Sequence, residues 1–217
     1  MVSGVRDYLA WHDQYDDPAS SLPRRLAWVR EVLRAELDAR PGPVRVVSLC
    51  AGDGRDILGV LAEREDSARV SVTLVEVLPE LVERARGAAA RVDAEVEVLA
   101  ADAGCSTTYV GLGTVPADVV LLVGVLGNVS DADVTTTVAA MPRLCAPGAT
   151  VVWSRGRSVE GDGDVVAPVR AAFAGAGFVE VSLRPVDVDS HTALGVVRLD
   201  GPPLPLEPGQ TWFTFVG

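Results

Sequence analysis

Five valine-rich runs set the pattern of this chain. Apolar residues are nearly continuous over Val44–Cys50, Val70–Glu76, Val96–Ala101, Asp118–Gly124 and Thr150–Ser154. Runs this short, bounded by turn residues and rich in β-branched side chains, read as strands covered on both faces. Between them the spacing of apolar positions predicts helices over 55–65, 79–91 and 131–145. The last of these has a start signal, Ser130-x-x-Asp133, with the serine placed to cap. Upstream, Leu22, Leu26, Val29, Leu33 and Leu37 recur at steps of four and three, one face of a helix that "RPGP" at 40–43 ends. Strands alternating with helices give right-handed βαβ units, hence an α/β fold with a doubly wound, mostly parallel sheet.

The last third changes character. A helix over 165–176 leads through Gly175 and Gly177 into a strand at Phe178–Leu183, and another strand follows at Ala193–Leu199. "PPLPLEPG" is a proline-rich loop, and "TWFTFV" alternates like an edge strand. The start, residues 1–21, is polar with an aromatic cluster, "YLAWHDQYDDPASS". The expected division is therefore an N-terminal segment and helix, 1–43, and an α/β domain, 44–217, with no repeats and no second-domain boundary.

Composition narrows the function. The net charge of -11 opposes a nucleic-acid backbone and an anionic membrane surface. The densest basic pair, Arg24-Arg25, opens the first long helix and reads as a solvated face. All 19 basic residues are arginine, which excludes a Schiff-base lysine, a pyridoxal-phosphate anchor and a P-loop lysine. Cys50, Cys105, Cys145, His12 and His191 show no metal-ligand spacing, so no metal is expected. An odd number of cysteines, no apolar run of membrane-spanning length and a polar start point to the cytoplasm. Cys50 at a strand end and Cys145 at a helix end read as small buried residues.

The chemistry concentrates where the first strand ends, in "VVSLCAGDGRDILGVL" from Val46 to Leu61. Ligands of doubly wound sheets bind beyond the carboxyl ends of the strands. Glycines there let the main chain touch the ligand, and the following helix offers free N–H groups. The dinucleotide fingerprint G-x-G-x-x-G would fall on Cys50, Gly52 and Arg55, and only Gly52 satisfies it. A pyrophosphate is thus disfavoured, and adenosine without phosphate fits better. Glu76 ends the second strand, where an acid accepts both ribose hydroxyls. Asp102, with Ala103 after it, ends the third strand, where a carboxylate takes an adenine amino group and the next amide serves a ring nitrogen.

With these pieces the chain resembles the class I S-adenosylmethionine-dependent methyltransferases. "SLCAGDG", Ser48 to Gly54, matches family motif I, an acid, an apolar residue and then G-C-G-x-G. "ADVVLLVGVLGNVSDADV", "MPRLCAPGATVVWSRG" and "GAGFVEVSL" resemble the fourth strand with its loop, the fifth strand and the last helix-to-strand turn, so the likeness spans about 44–200. The resemblance implies a seven-stranded sheet with an antiparallel C-terminal strand pair and an N-terminal helical lid. It implies S-adenosyl-L-methionine as cofactor, surrounded by Cys50, Ala51, Gly52, Asp53, Glu76, Val77, Asp102, Ala103 and Gly124, with Tyr8, Trp11 and Tyr15 over it. There are departures from the motif. Ser48 stands for its acid and Cys50 for its first glycine, so the cofactor's amino group needs backbone carbonyls or the N-terminal segment instead. The N-P-P-Y signature of many nucleic-acid and protein amide methylases is missing, which points to a small-molecule acceptor.

Methyl transfer from a sulfonium needs positioning and desolvation more than a base. Candidates for chemistry are His12, since histidine is the usual general base at neutral pH, and Asn128 after the fourth strand. Each has a plainer reading, a core or exposed histidine and a turn cap. Tyr8, Trp11 and Tyr15 share one helical face that either covers a sulfonium or anchors the segment. Arg155 serves either an acidic acceptor or a surface ion pair. Arg55 and Asp56 meet the methionine part or cap the helix. A nicotinamide-dependent oxidoreductase lacks its fingerprint here, and a non-catalytic S-adenosylmethionine-binding sensor or partner subunit is the alternative to an enzyme. The acceptor atom and the oligomeric state are open.

Overall fold

The computed structural model describes residues 8–156, 164–184 and 192–216. His191 and residues 1–7 of the N-terminal segment lie outside them. The described chain runs α1 (Tyr8–Asp13), α2 (Leu22–Asp38), β1 (Val44–Leu49), α3 (Ile57–Leu61), β2 (Val70–Glu76), α4 (Pro79–Ala89) and β3 (Glu95–Ala100). It continues with β4 (Ala117–Leu122), α5 (Asp131–Ala140), β5 (Cys145–Gly156), α6 (Ala167–Gly175), β6 (Phe178–Arg184) and β7 (Thr192–Leu199).

The strands form one seven-stranded sheet in the order β3-β2-β1-β4-β5-β7-β6. β1 to β5 pair in parallel, and β7 runs antiparallel to both its neighbours. The order reverses at β1, because β2 and β3 lie to one side of it and β4 to the other. That reversal opens a crevice at the carboxyl ends.

The central strands β1, β2 and β4 are buried on both faces, as their apolar runs required, but β3 is not: at the sheet edge Glu95, Glu97 and Ala100 are exposed and none of its residues is fully buried. Val44 and Val46 of β1 point into a layer with Val29, Leu33 and Leu37 of α2 and Ile57 and Leu61 of α3. Val47 and Leu49 point the other way, towards Val134 and Val138 of α5 and Phe173 of α6. Ser130 caps α5 by accepting from the Asp133 amide at 3.1 Å. α5 ends at Ala140, short of the expected 145, because Pro142 cannot donate to a helix; Met141–Arg143 is a 3-10 turn instead. Cys145 accordingly opens β5 rather than closing a helix, and it is fully buried.

The C-terminal "TWFTFV" is not an edge strand. It makes only two isolated bridges, Cys105 with Thr211 and Val129 with Phe215, and crosses the carboxyl ends of the strands. Strand alternation fails because Trp212 and Phe213 are both buried, at 2% and 3% exposure, one stacked on Tyr109 and the other on Phe215. No helix among the described residues is long and apolar enough to cross a membrane.

Candidate active site

A cavity of about 410 Å3 opens at the carboxyl ends of β1, β2, β3 and β4. Its floor is the turn after β1. Cys50 adopts φ 50 and Gly52 φ 60, both left-handed. A glycine suits the second position for a further reason: a Cβ there would stand 2.7 Å from His12 Nε2. The turn is tied down from β2. The Ala51 amide donates to the Val75 carbonyl at 2.9 Å, and the Gly52 amide donates to Glu76 Oε2 at 2.8 Å.

Glu76 ends β2 and is 6% exposed. Its other oxygen, Oε1, accepts from the Val77 and Leu78 amides at 2.9 Å each, at the start of α4. A carboxylate offers about four lone-pair sites, so capacity for a further donor remains on the cavity side. Asp102 follows β3. Its Oδ1 accepts from the Gly104 amide at 2.8 Å, and Ala103 beside it is buried.

Gly124 and Asn128 form the opposite wall beyond β4. Asn128 Nδ2 donates to the Gly124 carbonyl at 2.6 Å, and the Gly124 amide donates to Ser154 Oγ at 2.8 Å. The roof comes from α1 and the turn after it, where Tyr8, Trp11, His12 and Tyr15 all face the cavity. Tyr8 meets Phe215 with ring centroids 5.2 Å apart, so the two ends of the chain close over the site together. The segment is moored by ion pairs of Asp13 with Arg84 and of Asp16 with Arg55.

The residues expected around a cofactor therefore line one cavity: Tyr8, Trp11, Tyr15, Cys50, Ala51, Gly52, Glu76, Val77, Asp102, Ala103 and Gly124. So do His12 and Asn128. Asp53 is outside the lining. Arg55 binds its carboxylate from Nε at 3.0 Å and Nη2 at 2.8 Å, and His12 Nε2 stands 3.4 Å from its Oδ1. Burial pushes Asp53 up, but the hydrogen bonds and charges of His12 and Arg55 outweigh it and hold the carboxyl well below the usual carboxylate range. Arg55 thus turns away from the cavity, while Asp56 lines it and caps α3 through the Ile57 amide at 2.7 Å. Arg155 pairs with Asp131, away from the lining.

Cys50 is on the cavity wall, but burial first and the charges of Glu76 and Asp102 second raise its thiol far above the ordinary range. It is no ready nucleophile.

Several lining residues were not expected, Arg25 and three C-terminal residues among them. Arg25 is not on a solvated face: it is 5% exposed and lies on the cavity wall. Its place was legible, since it falls three residues after Leu22 and four before Val29 on the buried stripe of α2. Phe213, Thr214 and Phe215 join from the C-terminal segment, for which the local pattern gave only a strand.

No protein-family model and no curated protein matches the chain. Solved structures do. Magnesium protoporphyrin IX methyltransferase from Synechocystis PCC 6803, with bound S-adenosylmethionine, superposes at a TM-score of 0.64 and 11% identity, over 91% of this chain and 99% of that one. The CurJ carbon methyltransferase gives 0.70 and 15%, over 90% of this chain and 59% of that one. The 1,6-didemethyltoxoflavin-N1-methyltransferase of Burkholderia thailandensis, with its named substrate and S-adenosylhomocysteine bound, gives 0.62 and 20%, over 88% and 83%. With the strand order and the reversed β7, these likenesses define the class I methyltransferase fold for this chain.

Proposed function

We propose that the cavity binds S-adenosyl-L-methionine and that the protein transfers its methyl group to a small-molecule acceptor. One observation carries the reading: the left-handed turn at Gly52, the buried Glu76 carboxylate and Asp102 converge on a single cavity, in the order in which an adenosine would meet them. The fold supports it, since neighbours of the same fold were crystallised with this cofactor or its demethylated product. Glu76 accepts from the ribose hydroxyls, and Asp102 accepts from the adenine amino group. The bound cofactor supplies an electrophilic methyl group, so the chain's task is to hold the acceptor in line with it and exclude water.

Tyr8, Trp11 and Tyr15, carried by residues 1–43, cover the sulfonium region and exclude solvent. His12 is placed to take the acceptor's proton. Its Nδ1 is buried without a partner among the described residues, and Asp53 beside Nε2 stabilises the imidazolium that results. Asn128 orients the acceptor where β4 ends. The net charge of -11 supports a small molecule over nucleic acid as partner. Three free thiols support a cytoplasmic setting.

Calorimetric titration of the protein with S-adenosylhomocysteine and NAD tests the cofactor. Binding of the first and not the second is expected, and a preference for NAD overturns the reading. Turnover of S-adenosylmethionine across a panel of small amines and phenols then distinguishes an enzyme from a sensor.

A further inference from the structure

A buried cation that makes no ion pair among the described residues faces this cavity. Arg25, in the first turns of α2, donates through Nη2 to the Tyr15 hydroxyl and lies over the rings of Trp11 and Tyr15, at 5.2 and 5.6 Å. Its Nε is buried with no acceptor, and no carboxylate among the described residues lies within ion-pair distance of it. Other deeply buried ions are satisfied. Glu36 pairs with Arg40 and Arg198, and Glu76 holds three amides. A charge taken out of water without a partner is costly, so a partner supplied by a ligand is the simplest way to offset it.

The position says which end of the ligand. A Cβ on Gly124 would stand 3.8 Å from both Arg25 Nη2 and the Trp11 ring, so the guanidinium sits at the end of β4. Glu76 and Asp102 sit at the ends of β2 and β3, on the other side of β1. A ligand with its nucleoside at those acids reaches Arg25 with its opposite end. Asp56, on the same lining, forms no ion pair with Arg25 and keeps acceptor capacity beyond its bond to the Ile57 amide. Burial above all, with the Asp53 charge, raises its carboxyl against the opposing pull of the Ile57 amide and of the Arg25 charge, so an incoming cation would favour its ionised form.

We infer that Arg25 and Asp56 form a zwitterion subsite, Arg25 binding the α-carboxylate and Asp56 the α-ammonium group at the amino-acid end of S-adenosylmethionine. The inference rests on the reading of the cavity given above. It supplies from α2 and the cap of α3 the charges that Ser48 cannot.

The test titrates wild type, Arg25→Met and Asp56→Asn with S-adenosylmethionine, its decarboxylated analogue and 5′-methylthioadenosine. Arg25→Met is expected to weaken S-adenosylmethionine about ten- to hundredfold, the range for a bond to a charged group, and to leave the other two ligands unchanged. Asp56→Asn is expected to weaken S-adenosylmethionine and the decarboxylated analogue and to spare methylthioadenosine. The ligand-free Arg25→Met protein should melt no lower than wild type, since an unpaired buried charge has gone. Arg25→Gln, which keeps a donor for Tyr15, carries the same binding expectation should methionine disturb folding. Equal weakening of all three ligands, or of none, overturns the subsite. Wild-type protein that binds methylthioadenosine as tightly as S-adenosylmethionine overturns it too, while leaving the nucleoside end intact. Wild-type protein that binds none of the three overturns the cofactor reading itself.

Discussion

Glu76→Gln tests two roles of one carboxylate. The side chain keeps its shape but offers one acceptor oxygen where the wild type offers two. Three amides now depend on it: Gly52 on one oxygen, Val77 and Leu78 on the other. In one amide orientation the Gly52 amide faces an NH2 group, and in the other the Val77 and Leu78 amides do. A buried donor left unpaired costs about 1–3 kcal/mol, and the surviving bonds lose their charge assistance. At 6% exposure water cannot stand in for the missing acceptor at Gly52. The combined loss is about 2–4 kcal/mol. For a chain of 217 residues that lowers Tm by about 5–15 °C. The acid is therefore part of the fold as well as of the site.

Binding gives the second readout. Ribose hydroxyls that lose a charged acceptor forfeit about 1.5–3 kcal/mol, a rise in Kd of about ten- to hundredfold. Urea denaturation of the free protein and calorimetric titration with S-adenosylhomocysteine measure the two effects separately. A wild-type unfolding midpoint refutes the structural role. A lowered midpoint with an unchanged Kd, measured where the variant is folded, refutes the ribose contact.

Two further outcomes are expected. Gly52→Ala places a side chain at φ 60, at a cost of about 1–2 kcal/mol, and drives its Cβ against His12 Nε2. Denaturation of the single and double variants should show that His12→Ala relieves part of that cost, by about 1 kcal/mol, and simple additivity rejects the contact. Asp53 is depressed in the folded state, so its contribution is present above the unfolded carboxyl value of about 3.9 and is lost as pH falls through the folded one. Asp53→Asn should therefore lower stability at neutral pH and decline less steeply below pH ~4, where its unfolded group would have taken up a proton. An acid limb as steep as that of the wild type would refute the pairing with Arg55 and His12.

Much of the fold was legible because burial on both faces leaves a local trace. A strand covered on two sides must be apolar at nearly every position, so the valine runs marked β1, β2, β4 and β5 without any tertiary knowledge, while β3, at the exposed edge, was marked by its β-branched residues alone. Where other forces ruled, the pattern misled. Strand β5 starts at Cys145, five residues before Thr150, because Ala117 pairs with Cys145 and Val119 with Thr150, and the residues between bulge through Pro147 and Gly148. The helix expected from 55 begins at Ile57, since Gly54 and Arg55 belong to the turn and Asp56 is the cap. The fate of "TWFTFV" depended on tertiary contacts, Trp212 on Tyr109 and Phe213 on Phe215, which no periodicity records.

The departures from motif I at Ser48 and Cys50 bear differently on the form of the site and on its charge. Cys50 stands where the family has glycine, yet it takes φ 50, a conformation that costs an L-residue about 1–2 kcal/mol. The loop keeps that shape because the two residues after Cys50 are fixed, Ala51 by Val75 and Gly52 by Glu76. The backbone demand thus outlasts the residue that usually meets it. Ser48 is different. It is 2% exposed and neutral, so the end of β1 no longer brings a negative charge to the ligand. Asp56 and Arg25 stand at the same cavity from other elements, one on the cap of α3 and one on α2. A motif read along one strand sees only the loss at Ser48. The cavity, assembled from seven segments of the chain, brings both an acid, Asp56, and a cation, Arg25, to its lining.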